Sequence, residues 1–488
     1  PSGNDLVGLL PELVMSGGFI LLLLADLVVP ATRRTWLAGL TLLVLGAAMG
    51  VTIWCWFDAG NPRGIYFDAM SYDRFSLFAD GIIVAVAAMT VLISPGYLNR
   101  RGIHHGEYYG LILGASTGMM FLAGANSLMV IFLGIELLSI ALYILSGFAR
   151  TEERSQEAAM KYLLLGGFAS GLLLYGMVLI YGETGHTQLP AIAAALHSST
   201  RIVDPLFLVG VGLLFVGFAF KVSAAPFHFW TPDVYQGAPT AVTAFMAACT
   251  KIAAFGAILR LLYVGFGPAF WTWRPLVYGI AIVSMVVGAV LGLTQTDLKR
   301  LLAYSSIAHA GFLLTGVIGL GPAGNGLGLS ATLFYLLTYG ITTVGAFAVL
   351  TLVRDGDGEA THLSQWAGLA RRSPVAAGVM TVFLLALAGI PLTSGFTAKF
   401  AVFRAAIQDG AWPLALVAVL ASAVAAFFYL RVIVLMYFSA PAVDGPTVGV
   451  PGLPTTLVLA ITTAATIVLG IVPGPVLDLA RSAAHFVG

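Results

Sequence analysis

Single ionisable side chains stand inside long apolar stretches of this 488-residue chain, and they are where its chemistry must lie. The segment from Pro205 to Arg260 holds two spans long enough for a bilayer, each with a lysine well inside it, Lys221 and Lys251. A charge at mid-depth costs at least about 2.5 kcal/mol, so such a residue is a functional candidate by default. Glu136, in SLMVIFLGIELLSIALYIL, has no charged neighbour from Ser127 to Ala149. A carboxylate there is either protonated or paired with a cation, because desolvation and a nearby charge act on it in opposite directions. Lys221 near such an acid would form a couple that a modest change in field can switch, which is the physical content of a proton-loading site. Lys399, eight residues beyond Pro391 in LALAGIPLTSGFTAKF, and Lys251 have apolar flanks too long for snorkelling.

Other candidates each carry a plainer alternative. Lys161 follows Glu157 by four residues, which fits a structural ion pair as well as a proton access point. His228, two turns after Lys221 with Pro226 between them, suits a relay or simple packing among the FHFW aromatics. His309, after Tyr304, Ser305 and Ser306, suits either a link between halves of the protein or a core hydrogen bond. Arg431 does not usefully titrate and is expected to be a fixed charge or helix tether. Glu12 and Asp26 lie near opposite ends of the first span, where surface exposure or a subunit contact explains them as well as chemistry does.

The elements that position these groups follow from composition. The chain is 59% hydrophobic and 9% charged, far below the roughly one-quarter charged residues of a soluble domain. It is an all-α polytopic membrane protein. Fourteen helices are expected, near 6–29, 36–57, 73–94, 107–124, 127–149, 158–181, 205–229, 240–266, 273–293, 301–320, 329–353, 374–408, 411–438 and 453–473. The first is read as a helix and not a removed signal, since no basic segment precedes it. Eleven Lys and Arg between Arg33 and Arg372 fall in loops after helices 1, 3, 5, 9 and 11. Only Arg63, Arg74, Arg201, Arg274 and Arg481 fall opposite, which places both termini on the non-cytoplasmic side. Pro226 and Pro391 predict broken helices 7 and 12, tolerable only where freed carbonyls face protein or a wet cavity.

Polar positions recur. Glu136, Lys221 and Lys251 match His309, Lys399 and Arg431 at offsets of 173, 178 and 180 residues. Five helices per copy make the copies inverted, as in many transporters. The expected parts are a three-helix segment (1–104), a first repeat of helices 4–8 (105–268), a second repeat of helices 9–13 (269–440) and a C-terminal helix with tail (441–488). A net charge of +1 argues against nucleic acid, and two isolated cysteines against disulfides, structural zinc and iron-sulfur ligation. The glycine-rich 319–328 stretch lacks a GK[ST] ending and is read as a loop. Neither a haem-ligating histidine pair nor a serine triad is visible.

Four stretches, FKVSAAPFHFWTPDVYQGAPTAVTAF, GLTQTDLKRLLAYSSIAHAG, FLGIELLSI and LALAGIPLTSGFTAKF, resemble the hallmark segments of the subunit N family of bacterial respiratory complex I. That family is the membrane-arm component of NADH-quinone oxidoreductase homologous to mitochondrial subunit 2. The resemblance spans about residues 6–475 and implies an antiporter-like, proton-translocating subunit in the bacterial inner membrane. It implies proton transfer through Glu136, Lys161, Lys221, His228, Lys251, His309 and Lys399, with Glu136 and Lys221 as the coupled pair. NAD, FMN, iron-sulfur clusters and quinone are expected in partner subunits and no cofactor in this chain. Its expected partners are other antiporter-like subunits, small subunits toward the quinone site, and lipid. An Mrp-type cation/proton antiporter subunit and a non-pumping structural subunit are the alternatives. The short tail after helix 14 is expected to exclude the largest antiporter-like subunit, which carries a long lateral helix.

Overall fold

A computed structural model describes residues 3–30, 34–59, 62–197, 204–321, 327–356, 358–441 and 445–486. Arg33, Arg201 and residues 322–326 of the glycine-rich stretch lie outside the described residues. A helix occupies every expected stretch. The helices are α1 (Leu10–Val28), α2 (Thr35–Asp58), α3 (Arg74–Arg100), α4 (Glu107–Gly124), α5 (Leu128–Ser146) and α6 (Glu153–Thr184). They continue with α7 (Pro205–Lys221), α8 (Trp230–Gly237), α9 (Thr240–Arg260), α10 (Phe270–Leu293), α11 (Leu298–Ile318) and α12 (Leu327–Leu350). The last are α13 (Pro374–Ala388), α14 (Ser394–Gln408), α15 (Trp412–Phe438), α16 (Leu453–Ile471) and α17 (Gly474–Ala483). Among the described residues eleven helical spans are long and apolar enough to cross a membrane. The shorter apolar helices α7 and α13 are the first halves of two interrupted helices.

Expected helices 7 and 12 are thus broken, and each break has a local cause. After Lys221 the chain turns through Ser223, at φ +64°, and Pro226 before helix resumes at Trp230. Pro226 has no N–H to give, and Trp230 ties the two halves by donating its Nε1–H to the Phe220 carbonyl at 2.9 Å. In the second break Gly389 stands at φ +83°, and the N–H groups of Gly389 and Ile390 close back on the Ala386 and Leu385 carbonyls. That double closure is the usual glycine-dependent helix end.

The layering is set by side-chain size. Every residue of α9 is buried, and its TAVTAFMAACTKIAAFGAILR sequence is rich in Ala, Thr and Gly, which lets backbones approach closely. It packs on α3, α4 and α12. The most apolar window of α11 is 94% buried, against 22% for α16, whose leucines and isoleucines face outward. Charged residues therefore sit in the innermost helices, shielded by apolar outer ones. Two small sheets, unexpected from the helical pattern, fill loops: a hairpin of β1 (Arg63–Ile65) and β2 (Met70–Tyr72), and β3 (Val353–Asp355) between β4 (Gly358–Glu359) and β5 (Thr447–Val448).

The N-terminal helices are held to this core by a buried ion pair. Arg260, at the end of α9, donates two bonds to Asp73 at 2.8 and 3.0 Å, and both side chains are fully buried. Asp73 also caps α3 by accepting from the Ser76 N–H. Glu12 does not lie at the surface: it is 3% exposed and enclosed by this chain's own helices. Removing one partner of a buried pair strands the other charge, which typically costs about 3–5 kcal/mol. Arg260→Met is therefore expected to lower the apparent melting temperature of the purified protein by far more than the Asp73→Asn/Arg260→Met double variant, measured side by side in the same detergent.

Candidate functional site

A line of buried polar groups runs through α5, α7, α9, α11 and α14, and the interrupted helices organise it. An α-helix leaves its last carbonyls without partners, and they carry the negative end of the helix dipole. At the end of α7 the Val222 carbonyl accepts from Lys251 Nζ at 2.7 Å. At the end of α13 the Leu387 and Ala388 carbonyls accept from Lys399 Nζ at 2.9 and 3.1 Å. Ser422 adds a third contact to Lys399 at 2.8 Å. Gly389 is needed twice here, for its left-handed backbone and because a Cβ would lie 2.9 Å from Lys399 Cδ. Each broken helix thus presents free carbonyls to an ammonium that lipid would not tolerate.

Lys221 is placed differently. It ends α7 and donates to Ser139 Oγ at 2.7 Å, with its ammonium 5.7 Å from the Tyr162 ring centre. Glu136 lies one turn before Ser139 on α5, and its Oε1 is buried with no hydrogen-bond partner among the described residues. The acid and the lysine sense each other's charge but form no ion pair in this structure. By role, Lys251 corresponds to Lys399, each on a helix-end carbonyl, whereas Lys221 precedes its break and Lys399 follows its own.

His309 sits between the two carbonyl-bound lysines, near enough for both charges to act on its ring. Its Nδ1 bonds the Tyr335 hydroxyl at 2.7 Å, and its ring centre is 5.1 Å from that of Tyr339. The Tyr339 ring in turn lies 5.9 Å from Lys251 Nζ. The serines noted before His309 bring in tyrosines that the sequence did not single out: Ser306 contacts both Tyr235, at 3.2 Å, and Tyr339, at 2.9 Å. Ser305 pairs with Tyr429. The only sequence signal for them was the SS pair one turn before His309; the tyrosines read as ordinary buried aromatics.

Two expected site residues stand off the line. Lys161 makes the ion pair its spacing suggested: its side chain is 40% exposed and bonds both Glu157 and Asp233 at 2.6 Å. Asp233 also accepts from Arg300 at 2.6 Å, so Lys161 belongs to a charged cluster at the end of α8. His228 is buried in the α7–α8 break and stacks on Phe229, 6.4 Å from Tyr304. Its Nδ1 has no hydrogen-bond partner among the described residues. Arg431 donates to the Leu293 and Gln295 carbonyls, tethering α15 to the end of α10. Among the described residues no three or more His, Cys, Asp or Glu side chains converge as a metal site.

Beside the Asp233 cluster lie two open polar cavities of about 410 Å³ each, both walled by Arg154, Gln236, Glu359 and Thr361. Glu359, on β4, is their charged floor. It takes Lys299 at 3.1 Å, Arg101 at 3.5 Å, the Thr240 N–H at 3.2 Å and the Tyr97 hydroxyl. Burial alone would push its carboxyl up, but Lys299, Arg101 and these hydrogen bonds outweigh burial and hold it at about 2, below the ordinary 4.5.

Helices interrupted at depth, with ammonium groups on their freed ends, define an ion-handling membrane protein of the antiporter-like class. Residues 125–425 match the family described as NADH:quinone oxidoreductase/Mrp antiporter, transmembrane. NADH-quinone oxidoreductase subunit N of Saccharopolyspora erythraea is 49% identical, over 98% of this chain and 97% of the relative. A chain of respiratory complex I from Thermus thermophilus superposes with a TM-score of 0.82 at 33% identity, covering 97% of this chain and all of that one. A chain of the Mrp complex from Dietzia sp. shares the fold, with a TM-score of 0.83 at 22% identity over 99% of this chain and 97% of that chain. The chain belongs to the NADH:quinone oxidoreductase/Mrp antiporter family, within its NADH-quinone oxidoreductase subunit N branch.

Glu359 generates a pH test. Its folded value lies below its unfolded one, so its stabilising contribution is complete above about pH 4.5 and is lost as the pH falls toward 2. The hydrogen-exchange protection factors of the 353–363 segment should therefore stay constant from about pH 8 to about pH 5 and fall below that. Glu359→Gln should raise exchange there roughly tenfold at neutral pH, by leaving Lys299 without its carboxylate.

Proposed function

We propose that this chain moves protons across the bacterial inner membrane as a membrane-arm subunit of NADH-quinone oxidoreductase, working against neighbouring membrane-arm subunits. The observation that carries the reading is the pair of lysines on interrupted-helix carbonyls with His309 between them. A lysine held this way has two stable conditions. Charged, it is bound by the carbonyl end; neutral, it releases that end and leaves the carbonyls to water. A change of field at Glu136 and Lys221, caused by quinone chemistry in other subunits, shifts which condition Lys251 prefers. Lys251 then passes a proton toward His309 and Lys399, and Lys399 releases it on the far side. Lys161 and His228 act at the margins, the first in the charged cluster at the polar cavities, the second in the α7–α8 break.

NAD, FMN, iron-sulfur clusters and quinone belong in this reading to partner subunits, so the oxidoreductase activity is that of the complex. We read the chain as fourteen membrane crossings, with both termini on the non-cytoplasmic side. A three-helix segment (1–104) precedes two inverted repeats (105–268 and 269–440) and a final helix with its tail (441–488). The loop arginines and the interruptions in α7–α8 and α13–α14 support this division.

The test uses the assembled complex in vesicles. Lys251→Met or Lys399→Met should leave assembly and NADH oxidation by uncoupled enzyme in place but slow proton transfer through this subunit at least roughly tenfold, a barrier increase of about 1.4 kcal/mol. Protons moved per electron should fall accordingly. An intact complex with undiminished pumping would make this subunit a scaffold, and strict sodium dependence would make it a cation antiporter.

A further inference from the structure

The second break packs closely on α16. Gly470 of α16 meets the second break so closely that a Cβ there would lie 2.4 Å from Thr393 C and 2.5 Å from the Leu392 carbonyl oxygen. Thr397 adds a hydrogen bond to the Gly470 carbonyl. An open groove of about 690 Å³ lies between α13 and α16. Its walls are apolar: Val375, Ala376 and Val379 on α13, Leu459, Ala460 and Ile467 on α16.

One end of the groove is cationic. Arg372 lines it and donates to the Pro446, Gln365 and Ala367 carbonyls, which fix the guanidinium without cancelling its charge. Arg354 lies over Gly449 in the same rim, where a Cβ would meet its Nη2. Arg100 donates to the Thr351 carbonyl and stands near enough to Arg354 for the two charges to repel. Among the described residues none of these three arginines has an acid within ion-pair distance, although Arg101 and Lys299 close by share Glu359. A cluster of arginines without an acid partner among the described residues, at the mouth of an apolar slot, is complementary to one kind of molecule, a chain of hydrocarbon with an anionic head.

We infer that this groove is a binding site for an anionic glycerophospholipid, with one acyl chain between α13 and α16 and its phosphate at Arg354 and Arg372. The bound chain fills the groove behind the helix whose carbonyl end holds Lys399, so the lipid bears on that helix's tilt. This site is independent of the proton reading: it requires only the groove and its arginines.

The assembled complex, in vesicles of phosphatidylcholine with phosphatidylglycerol, is irradiated with phosphatidylglycerol carrying a photoreactive acyl chain, and the adducts are mapped by mass spectrometry. Adducts are expected on the 375–379 and 456–467 segments. Excess unlabelled phosphatidylglycerol should displace the probe, and a phosphatidylcholine probe should not replace it. Arg354→Gln should cut labelling about fivefold, the worth of one interfacial cation toward anionic lipid. Ala460→Trp, which fills the slot, should abolish it. Equal labelling by both probes, or labelling unchanged in Arg354→Gln, overturns the proposal. So does a cross-link from a cysteine at position 460 to a partner subunit in place of lipid adducts. Should Ala460→Trp fail to assemble, the Arg354→Gln comparison decides.

Discussion

An ammonium on the open carbonyl end of an interrupted helix is the interaction on which this structure turns. Either half alone is intolerable in hydrocarbon, since a bare lysine and unpaired carbonyls each cost several kcal/mol there. Together they cancel, and the cancellation depends on the proton the lysine carries. The protein has two such places, Lys251 on Val222 and Lys399 on Leu387 and Ala388. Much else serves them: the small residues of α9 bring Lys251 inward, Gly389 leaves space for the Lys399 stem, and the outer helices keep lipid away.

The two places are related without being identical. Lys251 comes to its carbonyl from a neighbouring helix across the α7–α8 break, whereas Lys399 belongs to the second half of the very helix that is broken. Its position therefore changes whenever the two halves of that helix shift against each other. Lys221 is of a third kind, bound to a serine hydroxyl with Glu136 one turn away. Three lysines thus stand on one line of buried groups with three different supports.

Helix positions and the two breaks were legible because apolar run length and proline act locally. The burial of Lys221, Lys251 and Lys399 was legible because a charge inside an apolar run must be enclosed by protein. The partners were not, because they come from afar in the chain. Nothing near Lys399 announces Ser422, and nothing near Lys161 announces Asp233. The Glu157 pair of Lys161 was legible from its i, i+4 spacing, but the Asp233 and Arg300 partners that complete the cluster were not. The tyrosines and Glu359 escaped notice because a buried phenol resembles packing and a loop acid resembles solvent-facing charge.

The hydroxyl contacts at Ser306 have a kinetic consequence. A hydroxyl group owns one hydrogen, so in the row Tyr235, Ser306, Tyr339 each oxygen donates one way and accepts from the other. A row of this kind, if it carried a proton, would end with every O–H reversed and would have to turn all three groups before carrying a second one the same way.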